Sequence, residues 1–328
     1  MKVCIFGVGA IGGNVGTRLA AAHGSELSVV ARGAQLKVIK ERGLVLRTDD
    51  GEVRGQPAVA TDDPSTLPQQ DLVVVTLKAN ALPDAAEAIA RLIAPGGCAL
   101  FLNNGIPWWW PHGLKGTRGT LPLIDPDGKL WMHVRPQRAL GCVIYGPSDV
   151  IEPGVVLHTG GSRWVMGEPD GTMSDRLDGA VQLFKSAGLK AEAATDIRRE
   201  VWLKLVRNAP ANSLAAITRL ALPEITADLA LRPIAARIVR ETLAVAAALG
   251  WDLHSEVDAD QIVSRSAKGG PRLSMLQDVL QGRPIEVEVQ LGQTQAFARE
   301  KGVPVPTIDT LLPLLRGLDR ALRSAQSR

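Results

Sequence analysis

Two groups of residues in this 328-residue chain have the types and spacing to do chemistry. The first is Gly7-Val8-Gly9-Ala10-Ile11-Gly12, which follows directly on an apolar run at 3–6. Between a strand and a helix, the first glycine of such a turn permits a tight bend. The second lets the backbone approach a pyrophosphate, and the third lets the helix pack close to the sheet. The free N–H groups of the helix start then face the phosphates. The second group is a stripe. Lys204, Asn208 and Asn212 are four apart and share one face of a helix, while Trp202, Leu205 and Val206 cover others. Asparagine is a mediocre helix former, so two in line with a lysine point to a polar surface with a task. A merely solvated face usually carries Glu, Lys and Arg instead. Pro210 within the run is expected to kink the helix or shift its register, which bears on Asn212. A further polar cluster holds Ser274, and Glu286 lies near a helix start after Pro284, where a carboxylate also suits the helix dipole with no other role.

These residues need elements to position them. A strand at 3–6, a helix at 11–22 ending near Gly24 and a strand at 27–31 form a unit of ~30 residues, the setting in which a GxGxxG turn binds a dinucleotide. Where such units place an Asp or Glu for the ribose hydroxyls, this chain reads Ala31-Arg32-Gly33. An arginine pairs with a 2′-phosphate that a carboxylate would repel, so NADPH/NADP+ is the expected cofactor, with a solvated loop residue as the alternative for Arg32. The run at 71–77 is nearly all apolar, as in a parallel strand buried on both faces, and leads into Lys78. A helix at 82–92 and a strand at 98–102 follow, the latter leading into Asn103-Asn104-Gly105. Ligands on doubly wound sheets bind beyond the carboxyl ends of strands, so Lys78 and Asn104 are expected to face the cofactor, or else to serve as turn residues.

Trp108, Trp109 and Trp110 concentrate three of the seven tryptophans in one loop, read either as an apolar lid near the substrate or as indoles that pin the loop to the domain surface or form a partner contact. Strand-like segments at 140–145, 155–158 and 164–166 are expected to extend the sheet as antiparallel edge strands, before a helix at 176–186. From 196 onward the pattern turns helical, with long helices at 228–249, 285–300 and 307–325. The expected division is therefore an α/β domain at 1–195 and an all-α domain at 196–328.

Composition narrows the partners. Lys+Arg 37 against Asp+Glu 34 leaves +3 with no run of like charge, which excludes a nucleic-acid footprint and suits a small anionic substrate. Three distant cysteines give no disulfide framework, the five histidines have no metal-ligand spacing, and no stretch reaches the ~20 apolar residues of a membrane span. A cytoplasmic protein, without membrane or structural metal, is the expectation; a homodimer is left open.

Taken in order, the glycine turn with Arg32, Thr76-Leu77-Lys78-Ala79, Asn104-Gly105, Trp202-Leu203-Lys204 with Asn208 and Asn212, and Ser274-Met275 with Glu286 resemble the ketopantoate reductase (2-dehydropantoate 2-reductase) family over residues 1 to about 310. The resemblance implies an α/β Rossmann-type N-terminal domain with an all-α C-terminal domain, the active site in the cleft between them, and NADPH-dependent reduction of a 2-oxo acid to a 2-hydroxy acid. It implies Lys204 as the catalytic lysine and Glu286 as the acidic residue that orients Lys204 or the nicotinamide ribose. Asn208 and Asn212 become substrate-binding amides, Ser274 a hydroxyl for the substrate carboxylate, and Lys78 and Asn104 cofactor-side residues. The chain departs from the family at Arg219-Leu220-Ala221-Leu222 and Gly270-Pro271-Arg272, where further asparagines are expected, and in Glu286-Val287-Glu288, where the acidic pair is usually Glu/Asp. Lost amides imply a less polar pocket, so other bulky 2-oxo acids or an imine remain alternatives, as does a non-catalytic NADPH-binding protein.

Overall fold

β1 (Val3–Phe6) is buried along its whole length and lies between two parallel neighbours, which explains why all four of its residues are apolar. The computed structural model describes residues 1–116, 119–264 and 273–326. After β1 come α1 (Ala10–His23), β2 (Leu27–Val30), α2 (Gly33–Arg42), β3 (Leu44–Thr48), β4 (Gly51–Gly55), β5 (Val59–Thr61), β6 (Gln70–Val75), α3 (Leu82–Leu92) and β7 (Ile93–Phe101). The chain continues through β8 (Ala139–Tyr145), β9 (Ser148–Glu152), β10 (Val155–His158), β11 (Arg163–Gly167), α4 (Asp175–Ser186) and β12 (Ala191–Ala193).

Eight of these strands form one sheet in the order β12-β11-β8-β7-β6-β1-β2-β5. From β1 the chain first builds outward through β2 to β5, then returns to place β6, β7 and β8 on the other side. All of these pairs are parallel, and β11 joins antiparallel to β8. The order reverses beside β1, so the loop leaving its carboxyl end sits at a topological switch point.

The strand at 155–158 does not extend this sheet as the sequence suggested. As β10 it pairs parallel with β3 and antiparallel with β9, in a second sheet ordered β4-β3-β10-β9. Helix α1 packs against both sheets, and a Cβ at Gly13 would run into the Val156 side chain of β10. Val15 and Leu19 of α1 join Ile5, Val29 and Leu44 in the core.

The residues fall into two units, Met1–Asn103 with Pro107–Arg198, and Asn104–Ile106 with Arg199–Arg328. The second is built from α5 (Ile197–Thr218), which begins at the boundary, α6 (Leu222–Ala227), α7 (Leu231–Ala248), α8 (Ala259–Ser264), α9 (Ser274–Leu280), α10 (Gln293–Lys301) and α11 (Pro306–Gln326). α7 buries Ile238, Val239, Thr242 and Leu243, one stripe of an amphipathic helix. Its buried Glu241 accepts the N–H groups of Thr307 (2.8 Å) and Ile308 (2.9 Å), satisfying two donors at the start of α11. The helix expected at 285–300 is not uniform. Residues Glu288–Gly292 form a π turn, with the Gln293 N–H reaching back to the Glu288 carbonyl, before α10 continues in α-helical register.

Candidate active site

The glycine turn bridges β1 and α1. Gly7 takes φ +100°, a conformation that a side chain would strain, and its N–H donates to the Val30 carbonyl (3.0 Å). Thr76, just past β6, donates its hydroxyl to the Gly7 carbonyl and its N–H to the Phe6 carbonyl (3.0 Å), clamping the turn to the next strand. A Cβ at Gly12 would collide with that same Gly7 carbonyl, so the helix approaches this closely only because position 12 is glycine. Above Gly9 the space is open: a Cβ there would meet nothing within 4 Å. Gly9 caps α1 without a side-chain bond, and the first turn carries no acid. A bare helix start under an open backbone is the cradle a pyrophosphate requires, and these residues fit a dinucleotide.

Arg32 is the N-cap residue of α2, exposed just beyond β2, and makes no ion pair among the described residues. Its charge is available to a phosphate. Lys78 stands just beyond β6, half-buried in extended conformation at the start of a short turn. At the end of β7, Asn103 donates its amide to the Leu77 carbonyl (2.5 Å) and ties two strand ends together, while its Oδ1 is buried with no hydrogen-bond partner. Nothing in the sequence singles out Asn103 from its neighbour, because two adjacent asparagines offer no local signal as to which binds where.

The chain separates them sharply. Asn104 belongs to the helical unit, where its Oδ1 accepts a hydrogen bond from the Lys204 ammonium at 2.7 Å. α5 runs through Pro210 as one helix, so Lys204, Asn208 and Asn212 do share a stripe. Lys204 and Asn208 are half-buried, and Asn212 is buried. The Asn212 Oδ1 accepts from the Met275 N–H (3.2 Å) and the Ser274 hydroxyl (3.4 Å), which brings two sequence-predicted residues together at the start of α9. Glu286 is buried, and the Ile285 N–H before it donates to Asp319 of α11 (2.8 Å). Arg219 follows α5 with φ +61°, so the stretch at 219–222 turns away rather than prolonging the stripe. The departure at 270–272 lies outside the described residues.

All three indoles of the tryptophan loop are buried in the α/β unit. Trp108 meets Phe101 edge-on at 5.3 Å. Arg198 places its guanidinium over the rings of Trp109 (5.7 Å) and Trp110 (5.5 Å) and donates to the Trp110 carbonyl (2.9 and 2.6 Å) and to those of His112 and Pro169. Burial pushes its pKa down to about 10. Of the two readings of this loop, the indoles act as pins rather than as an exposed lid. Among the described residues, no group of side chains could hold a metal ion, and no helix is long and apolar enough to cross a membrane.

A doubly wound sheet with this turn at its switch point defines a dinucleotide-binding protein. Residues 3–171 match the model "Ketopantoate reductase PanE/ApbA", and residues 196–319 match "Ketopantoate reductase PanE/ApbA C terminal". The chain is 39% identical to a 2-dehydropantoate 2-reductase of Mesorhizobium japonicum, covering 97% of this chain and 98% of that protein. It is 31% identical to one of Halobacterium salinarum, covering 96% and 98%. A crystal structure of a putative ketopantoate reductase from Ralstonia solanacearum superposes with a TM-score of 0.88 at 34% identity, covering 98% of each chain. The chain belongs to the ketopantoate reductase family of oxidoreductases, as its ordered motifs suggested.

Proposed function

We propose that the protein reduces 2-dehydropantoate to pantoate with NADPH, and that Lys204 supplies the proton. The observation that carries this reading is the 2.7 Å bond from the Lys204 ammonium to Asn104, in a chain of this family. Residues 1–195, apart from the segment Asn104–Ile106, serve as the nucleotide domain, and 196–328 together with that segment as the substrate domain. When bound, NADPH supplies a hydride to the ketone carbon. Gly7, Val8, Gly9, Ala10, Ile11 and Gly12 hold the pyrophosphate with their backbone, Arg32 pairs with the 2′-phosphate, and Lys78 faces the cofactor from the end of β6. Negative charge then grows on the ketone oxygen, where Lys204 stabilises it and delivers the proton that completes the alcohol. Asn104 holds the ammonium in place, Asn208 and Asn212 bind the substrate, Ser274 its carboxylate, and Glu286 orients Lys204 or the nicotinamide ribose. The protein works in the cytoplasm on a small anionic 2-oxo acid.

The test is NADPH oxidation, followed by absorbance, against a panel of 2-oxo acids that includes ketopantoate and phenylpyruvate. The reading expects the highest kcat/KM for ketopantoate. A preference for phenylpyruvate would reassign the substrate, and silence across the panel would remove the reductase.

A further inference from the structure

The helical unit contains a device that the proposed chemistry does not yet use. Its parts are the π turn at Glu288–Gly292, the Glu288–Arg316 ion pair and the three-residue segment Asn104–Ile106. A π turn widens the helix by one residue, so the hydrogen-bond ladder slips and one carbonyl loses its donor inside the helix. Here the Gln293 N–H bonds Glu288 five residues back. The next carbonyl, that of Val289, is reached from outside by the Ile106 N–H at 2.7 Å. Two residues before Ile106, Asn104 meets the Lys204 ammonium. Gly105 between them takes φ +78°, and a Cβ there would strike the Val289 backbone, so the segment lies flat against the widened turn.

The turn itself is gripped from α11. Arg316 donates from Nε to one Glu288 oxygen and from an Nη to the other, both at 2.7 Å, a two-pronged pair that holds the carboxylate in one orientation. The same carboxylate occupies the space that a side chain at Gly292 would need. Wide helical turns are uncommon, and π bulges gather at functional sites.

We propose that Glu288 and Arg316 are positioning residues for the reduction: they hold the π turn open, the turn presents the Val289 carbonyl to Ile106, and that bond sets Asn104 against Lys204. This rests on Lys204 acting as the proton donor. It assigns a task to the second acid of Glu286-Val287-Glu288, a segment in which Glu286 and Val287 are buried and Glu288 is half-buried.

The test compares Glu288→Gln, Arg316→Gln and the double variant in the full-length protein. Three readouts are taken: steady-state kinetics, NADPH affinity by fluorescence, and hydrogen exchange at the Ile106 amide. In the single variants, kcat is expected to fall about ten- to a hundredfold, the range that follows from ångström-scale misplacement of a reacting group. NADPH affinity should stay within about twofold, because the residues proposed to hold the pyrophosphate and the 2′-phosphate lie in the other unit. Exchange at Ile106 should quicken at least tenfold by the same local opening. Because the two side chains act as one pair, the double variant should be no worse than the poorer single variant. Wild-type kcat or an unchanged Ile106 amide in both single variants would overturn the proposal, and so would additive losses in the double. Should Glu288→Gln fail to fold, Arg316→Gln carries the same expectations. A parallel Lys204→Ala measurement separates the two levels. If that variant keeps its turnover the proton donor is wrong, whereas the exchange rate at Ile106 still decides whether the turn holds the segment.

Discussion

At the scale of single residues, Lys204 and Arg32 carry the sharpest expectations. On the proposed mechanism, replacing Lys204 by alanine removes the general acid, an effect worth about 10²–10⁴ in rate. We expect kcat to drop by that factor while NADPH still binds, as measured by turnover and by nucleotide fluorescence. Arg32 stands exposed, its guanidinium without an ion-pair partner among the described residues. Arg32→Ala should weaken NADPH binding about tenfold or more, since a charge-assisted bond contributes about 1.5–3 kcal/mol, and leave NADH binding unchanged. An equal loss for both nucleotides would show that Arg32 does not read the 2′-phosphate. Both candidates came from the sequence, Arg32 by the absence of an acid after β2 and Lys204 by its place in a stripe of amides, and α5 does carry that stripe on one face. The partner of Lys204 was not legible there. Asn104 lies a hundred positions away, and nothing local in Asn103-Asn104-Gly105 tells which side chain stays with the sheet.

At the scale of elements, the turn between β1 and α1 and the tryptophan loop make separate demands. Gly12→Ala places a methyl group on the Gly7 carbonyl, so either α1 withdraws or the turn opens. We expect loss of NADPH binding together with a lower melting temperature; retained binding would show that the helix can give way. Arg198→Met keeps much of the apolar stem but leaves the carbonyls of Trp110, His112 and Pro169 without their donor. Unsatisfied buried acceptors cost about 1–3 kcal/mol each before relaxation, so a net loss of about 2–4 kcal/mol is expected in denaturant titration. The strands at 3–6 and 155–158 and the helix at 82–92 were legible because apolar runs and helical spacing are local signals. The π turn was not, because a five-residue turn leaves the apolar pattern of 285–300 looking like ordinary helix.

At the scale of the whole molecule, the α/β unit keeps its thiols in its interior. Cys4, Cys98 and Cys142 are all buried. Burial pushes the Cys4 thiol from 9.0 up to about 12, and burial, opposed in part by Arg176, pushes Cys98 up to about 11. The folded state therefore keeps its protons while the unfolded chain loses them above about pH 9. Below that pH these thiols leave stability unchanged; above it each lowers stability by about 1.4 kcal/mol per pH unit until its own raised pKa is passed. Urea titrations from pH 8 to 10.5 should show this fall, and a Cys4→Ala, Cys98→Ala variant should flatten it. Fold class and the order of halves were readable from the sequence because the glycine turn and the helical periods are continuous in the chain. The second sheet was not, since β10 finds β3 across about a hundred residues and the short β4 is mostly exposed. Such pairings are decided by what α1 needs against its outer face, and only the folded chain expresses that need.

One consequence follows from where residues 104–106 belong. Scission between Arg198 and Arg199 would not yield two self-sufficient halves, because the C-terminal fragment would leave a piece of its own interior behind in the other. That fragment would lack the amide that meets Val289 and the side-chain oxygen that greets the lysine. Any evolutionary or laboratory exchange of the helical half for a relative's must therefore carry this tripeptide along, or the graft arrives with Lys204 unheld.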